Sequence, residues 1–263
     1  MPEKSESLAF ARFRAMLEEA LFPAPSSVEL VRTAYNDYVL RFGAKQPHIA
    51  ELFQENTKLG PSSNLITPTA EADLKEARKW YFTTPYRPRD GDVDPERSQT
   101  VRLRHDELTP SLRAVLAPFA LEGATADLLF SVDLFVLQGH RLFRQLPQAD
   151  FLWSDLTLMP AQLQMLRTSL LGLEPAVVKE TRTWLLLAGA PWRYMMFYGP
   201  RGYRRMMFDI GALVARLYDS AENLDLRPAV CYDFFDTRLN QVFQLDGTER
   251  TILALMAVPG IPA

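Results

Sequence analysis

An α+β fold, built as a mixed sheet flanked by helices and preceded by a helical N-terminal extension, is what this sequence predicts. Three observations lead there. The second half alternates short apolar runs with stretches whose apolar residues recur every three or four positions, as strands covered by helices require. The first sixty residues carry only the helical spacing. With 263 residues, 48% of them hydrophobic, the chain holds enough apolar surface to bury a large core.

The elements follow in order. Phe10, Phe13, Leu17, Ala20 and Leu21 recur at helical spacing until PAPSS interrupts them, so residues 6–22 read as an amphipathic helix. SSVELVRTAYNDYVLRF opens a second, with Ser27 placed as its cap and Glu29 in its first turn. From Gln54 onward the pattern loosens, with one helical piece in ADLKEARKWYF. PYRPRDGDVDPERSQ then reads as an exposed connection with a boundary near 86–97. This divides the chain into an N-terminal extension (1–60), a connecting segment (61–97) and a main domain (98–263). Within that domain LLFSVDLFVL (128–137), TWLLLAGA (183–190) and TILALMAV (251–258) read as strands, and PAQLQMLRTSLLG (160–172) as a helix.

Composition removes several function classes. A net charge of -3 argues against a nucleic-acid surface, which needs concentrated lysine and arginine. The single cysteine, Cys231, excludes an internal disulfide framework, and His48, His105 and His140 lack metal-ligand spacing. A charged start, MPEKSESLAF, and the lack of a long apolar run point to a cytoplasmic protein without a membrane span.

The most unusual stretch is YGPRGYRRMMFDIGALVARLYDSAENLDL, residues 198–226, where arginines and tyrosines lead directly into an amphipathic helix. Met206, Met207, Ile210, Leu213, Val214, Leu217, Ala221 and Leu224 form its expected buried stripe. Asp209 is expected near the helix start, holding Arg204, Arg205 or backbone amides. Arg201, Arg204 and Arg205 suit an anion or carboxylate partners equally. Tyr198 and Tyr203 offer stacking surfaces and hydroxyls. With an ordinary pKa of about 10, either tyrosine would need neighbouring positive charge to act as a base.

The run WRYMMFYGPRGYRRMMFDIGALVARLYDSAENLDL, followed by YDFFDTRLNQVFQLDGTERTILALMAV, resembles the C-terminal half of the azoline dehydrogenases. These are nitroreductase-fold flavin enzymes that oxidise peptide thiazolines and oxazolines. The likeness covers about residues 183–259, and FQENTKLGP at 53–61 is similar to the family's His-Glu-x-x-Lys stretch, with Gln54 replacing the histidine. The resemblance implies a divergent nitroreductase-like domain and FMN held at a homodimer interface. Arg201, Tyr203 and Arg204 fall on the family's Arg-Gly-Tyr-Arg, Phe234, Phe235 and Asp236 fall near the segment expected to border the flavin, and Arg102 and Arg104 stand near its phosphate-binding segment.

It also implies Tyr198 as the surviving catalytic acid or base, because the family's Lys-Tyr pair is here Phe197 and Tyr198. The early Arg-Arg-Ser-x-Arg pattern is reduced to RSQTVRLRH, with Arg97 also retained. The Gly-Ala-Leu-Tyr-Pro pattern is reduced to GATADLLFSVDLF. Three readings stay open: an FMN-dependent oxidoreductase acting on an azoline or related peptide moiety; a flavin-free subunit presenting substrate to a competent enzyme; and a diverged oxidoreductase outside peptide chemistry. The implied partners are a second copy or a related subunit, a peptide substrate and other biosynthetic proteins.

Overall fold

The computed structural model describes residues 68–83, 101–120, 124–145 and 151–262. The expected helices of the N-terminal extension, the Gln54 stretch, Arg97 and the connection at 85–99 lie outside these residues. Inside the expected connecting segment, helix α1 spans Pro68–Thr83. Next come strand β1 (Val101–Arg104) and helices α2 (Pro110–Ala120) and α3 (Ala124–Asp127). Strands β2 (Val132–Gln138), β3 (Arg141–Gln145) and β4 (Phe151–Thr157) are followed by helices α4 (Pro160–Ser169) and α5 (Pro175–Glu180). The remainder is β5 (Thr183–Gly189), α6 (Trp192–Tyr198), α7 (Arg201–Glu222), β6 (Ala229–Cys231), α8 (Asp236–Val242) and β7 (Thr251–Ala257).

The strands form one seven-stranded sheet in the order β1-β4-β3-β2-β5-β7-β6. All of its neighbouring pairs are antiparallel, so the expected α+β class is the observed one.

Alternation along each strand splits the core into two layers. On one face Val132, Leu134, Val136, Leu185 and Leu187 meet α7, α2 and α6 through Leu213, Leu217, Leu116 and Tyr194. On the other, Leu137, Trp184 and Leu186 meet α4 and α8 through Leu166, Leu239 and Val242. β5 is buried along its whole length, as a central strand covered on both faces must be. Between Leu187 and Ala188 the β5/β7 register shifts. The extra residue, Leu253, lets Ile252 join one layer and Ala254 the other despite their even spacing.

Several readings change at this level. The 128–137 run begins as a 3-10 turn at Leu128–Phe130, and its strand starts at Val132. RLNQVFQLD contributes to a helix, α8, whose Leu239, Asn240 and Val242 turn inward. In the long-helix stripe, Met206, Ile210, Leu213, Val214, Leu217 and Ala221 are buried, while Met207 and Leu224 are exposed. Met207 lies about 100° around the axis from Met206. Leu224 lies past the helix end at Glu222, where Asp225 turns the chain with φ 57°.

Candidate functional site

The Tyr-Gly-Pro-Arg-Gly-Tyr motif is first of all a helix junction. Gly199 has φ 53° and ψ -145°, a conformation that only glycine adopts cheaply, and it reverses the chain between α6 and α7. Three residues on, a Cβ at Gly202 would lie 2.5 Å from Met195 N and from Tyr194 C. Only a hydrogen there lets the first turn of α7 rest on α6.

Two polar clusters sit beside this junction. In the first, Asp133 on β2 is buried, with a side chain 1% exposed, against Arg144 at 2.7 Å and Arg193 at 2.9 Å. Arg193 grips both carboxylate oxygens, donates to the Phe130 carbonyl at 3.0 Å and to the Tyr81 hydroxyl at 3.2 Å, and lies over the Tyr81 ring. Burial works to raise the Asp133 carboxyl, but the charges of Arg144 and Arg193 overcome it and hold the group well below the usual aspartate range. Tyr81 is driven the other way, by burial and by Asp133.

The second cluster joins α1, α6 and α7. Ser131 donates to Asp209 Oδ2 at 2.7 Å, Tyr194 donates to the same carboxylate, and Arg78 donates to the Tyr194 hydroxyl. Asp209 is pushed up by burial, which the bonds from Ser131 and Tyr194 and the charges of Arg78 and Arg205 only partly offset. Tyr194 is pushed up to about 12, by burial and then by Asp209. Asp209 therefore stands more than two turns inside α7, which begins at Arg201. It anchors the helix to Ser131 and α6 rather than capping the first turn.

Tyr198 is fully buried. Its hydroxyl donates to Glu71 Oε1 at 3.0 Å, and the Arg205 guanidinium stacks 3.8 Å from its ring centroid. Despite that guanidinium its pKa is raised, by burial and by the bond to Glu71. The arginines thus do not turn this phenol into a ready base. Glu71, roughly half exposed and 3.7 Å from Arg205, is the acidic group of this cluster that reaches solvent. It borders an open groove of about 540 Å³, also lined by Lys75, Arg78, Phe82 and Asp127.

The other site candidates fall in three places. Arg102 and Arg104 lie on β1, one edge of the sheet, where the exposed Arg104 side chain pairs with Asp106 at 3.3 Å. Arg201, Tyr203 and Arg204 occupy the first turn of α7, each partly buried and engaged in further contacts. Phe234 is buried in the second core layer, while Phe235 is exposed beneath the Arg238 guanidinium, both just beyond β6 at the opposite edge. Six strand spacings separate β1 from β6, roughly 29 Å at the usual spacing. One FMN cannot span the two edges of a single chain, so these residues do not form one FMN site within it. Among the described residues no group of His, Cys, Asp and Glu could hold a metal ion.

Sequence reasoning missed Glu71, Arg78, Ser131 and Asp133; Arg193, one of three arginines expected to stand in for the family's lysine, is instead committed to Asp133. A visible signal existed for Asp133, a lone carboxylate inside an apolar run, because a charge buried in a strand demands a partner.

Outside these clusters, α6 and α7 present an apolar surface to solvent. Met196 is 72% and Phe208 70% exposed, with Trp192, Met195 and Met207 exposed beside them in sequence. Gly211 shares a helix face with Met207 and Phe208, and a Cβ there would meet nothing within 4 Å.

Among solved structures, a candidate nitroreductase from Anabaena variabilis superposes with a TM-score of 0.58 at 15% identity, over 81% of this chain. The fold is that of the nitroreductases. This chain spans 46% of the Anabaena protein's length, so what is shared is the fold of a part. Two other structures superpose less closely. A chain of the Escherichia coli microcin synthetase McbBCD complex, solved with truncated pro-MccB17 bound, gives a TM-score of 0.49 at 14% identity, over 90% of this chain and 95% of that one. A candidate nitroreductase from Ralstonia eutropha gives 0.42 at 15% identity, over 69% and 89%. No family model matches the sequence, and no curated protein sequence matches it. No helix among the described residues is long and apolar enough to cross a membrane.

Proposed function

We propose that this nitroreductase-fold chain is one half of an FMN-dependent oxidoreductase in peptide modification, whose working unit is a dimer closed across the outer face of α6 and α7. The observation that carries the reading is the exposed apolar surface of the two helices: Met196 stands in water on α6, and on α7 Met207 and Phe208 stand in water on the face of Gly211, mid-helix, where a glycine costs about 1 kcal/mol relative to alanine. Exposed apolar residues around a helix position with no neighbour of its own are what a second helix packing closely on them would require. Pairing two chains also supplies what one lacks, since residues from opposite sheet edges could then meet at the junction.

In such a dimer Arg201 and Arg204 would face the phosphate of FMN, with Tyr203 beside them; FMN, when bound, supplies the two-electron redox chemistry. Glu71, opening on the groove that Asp127 also lines, would take a proton from a substrate there. Tyr198 fixes the Glu71 carboxylate from behind and is a positioning residue. The substrate class this reading names is a peptide azoline or a related moiety.

A second reading has its own support. Phe197 carries no proton, and the Tyr198 hydroxyl is buried and committed to Glu71, which favours a flavin-free subunit presenting substrate to a related, competent chain. The visible spectrum of the purified chain, with quantification of released chromophore, separates the two. About one FMN per chain, reduced on addition of an azoline peptide, supports the enzyme. A colourless dimer that stays colourless with added FMN overturns it in favour of the presenting subunit.

A further inference from the structure

On the opposite face of the sheet from α6 and α7, the turn between β2 and β3, helix α4 and the segment before β5 enclose a pocket of about 310 Å³. That is the lower end of the range for small-ligand sites. Its floor is apolar, formed by Leu137, Leu166 and Trp184, all at most 3% exposed. Around it stand Arg167, Arg182 and His140, and no carboxylate lines it. Thr181 also lines it, but its hydroxyl already donates to the Val177 carbonyl at 2.7 Å. The backbone of the rim is fixed, since Gly139 N donates to Arg182 O and Leu158 N donates to His140 O, at 3.0 and 2.7 Å. Among the described residues, neither arginine has an ion-pair or side-chain hydrogen-bond partner. They contrast with the arginines near the α6/α7 junction, which are matched by Asp133, Glu71 and Asp209.

We infer that this pocket binds a small organic carboxylate with an apolar body, its carboxylate held by Arg167 and Arg182 and its body seated on Leu137, Leu166 and Trp184. Both halves of the ligand follow from the lining. Two arginines lining one pocket with no carboxylate among its described residues favour a planar anion through charge-assisted bonds, and an indole beside two leucines rewards a flat or branched apolar group. A highly charged anion such as a polyphosphate would leave that floor uncovered. The carboxylate could belong to a free acid or to the C-terminal residue of a peptide, two sources with the same chemistry. The inference does not rest on the redox reading, because no residue of the pocket belongs to the α6/α7 face.

The test is isothermal titration calorimetry on the full chain with phenylacetate, phenylacetamide and N-acetyl-glycyl-phenylalanine with a free C-terminus. It is repeated on Arg167→Gln, Arg182→Gln and the double variant, after circular dichroism has shown all of them folded. Phenylacetate is expected to bind at least about tenfold more tightly than its amide, with the double variant losing at least about tenfold. A peptide that binds more tightly than phenylacetate identifies a chain end as the source; one that binds more weakly identifies the free acid. Equal affinity for acid and amide, unchanged binding in the double variant, or no saturable binding of either carboxylate up to about 10 mM overturns the inference.

Discussion

Replacing Gly211 with alanine should strengthen the single chain and weaken the pair. Gly211 is the eleventh residue of the 22-residue helix α7, and its added methyl would meet no atom within 4 Å. In the isolated chain the substitution therefore contributes only the helix-propensity difference, about 1 kcal/mol in favour of the folded state. That corresponds to roughly 2–4 °C in melting temperature for a chain of this size. In a dimer closed over Met207, Gly211 and Phe208 the same methyl enters a tight helix contact. There it costs roughly 1–3 kcal/mol of overpacking, or about 5- to 150-fold in dissociation constant. Urea unfolding at a protein concentration below the dimer dissociation constant reads the first effect, and sedimentation equilibrium reads the second. A variant that is stabilised while its association is unchanged or tightened would refute the reasoning.

Other expectations follow from the same geometry. Asp133→Asn leaves Arg144 and Arg193 buried without their counter-charge and should cost about 3–5 kcal/mol, read from the urea midpoint. Because the folded-state pKa of Asp133 lies below its unfolded value, its contribution is complete above about pH 4 and is lost as pH falls below that. Urea midpoints measured down the acid range should decline there in the wild type and not through this group in the variant. Asp209 has the opposite sign: its folded pKa is raised, so its ionisation opposes folding as pH rises past the ordinary aspartate value, and Asp209→Asn should cost clearly less than Asp133→Asn in the same assay at pH 7. Gly202→Ala drives a Cβ to 2.5 Å from the α6 backbone and should destabilise by about 3 kcal/mol or more, visible as a collapsed melting temperature. Tyr198→Phe and Glu71→Ala remove the two ends of one hydrogen bond, so their separate costs of about 1 kcal/mol should not add in a double-mutant cycle.

Much of the fold could be read from periodicity, because β5, β7 and α7 repeat their apolar residues at the spacing their burial demands. Strands β3 and β4 escaped notice. RLFRQ is short and FLWSDLT is interrupted by serine and aspartate, and their strand character comes from pairing with neighbours. Helix α6 was hidden for a different reason: WRYMMFY carries Met195 and Met196 exposed, so its apolar residues do not trace a one-sided stripe. The role of Tyr198 was the least accessible. Its neighbours in sequence are a phenylalanine and a glycine, whereas its electrostatic neighbours, Glu71 and Arg205, reach it from α1 and from one turn into α7. Sequence distance gave no hint that a carboxylate 127 positions away would accept its hydrogen bond. The cofactor-side candidates illustrate the same limit, since motif order says nothing of the distance between Arg102 and Phe235, which the strand order puts at opposite edges of the sheet in one chain.

The most direct test of the pairing across α6 and α7 is native mass spectrometry of the full-length chain, titrated with FMN, beside Phe208→Glu. Phe208 is 70% exposed, so a glutamate there leaves the single chain folded and places two like charges in the proposed contact. The account predicts a wild-type dimer that takes up FMN and a folded, monomeric variant that does not. A variant that stays dimeric, or a monomer that binds FMN as tightly as the wild type, would contradict it.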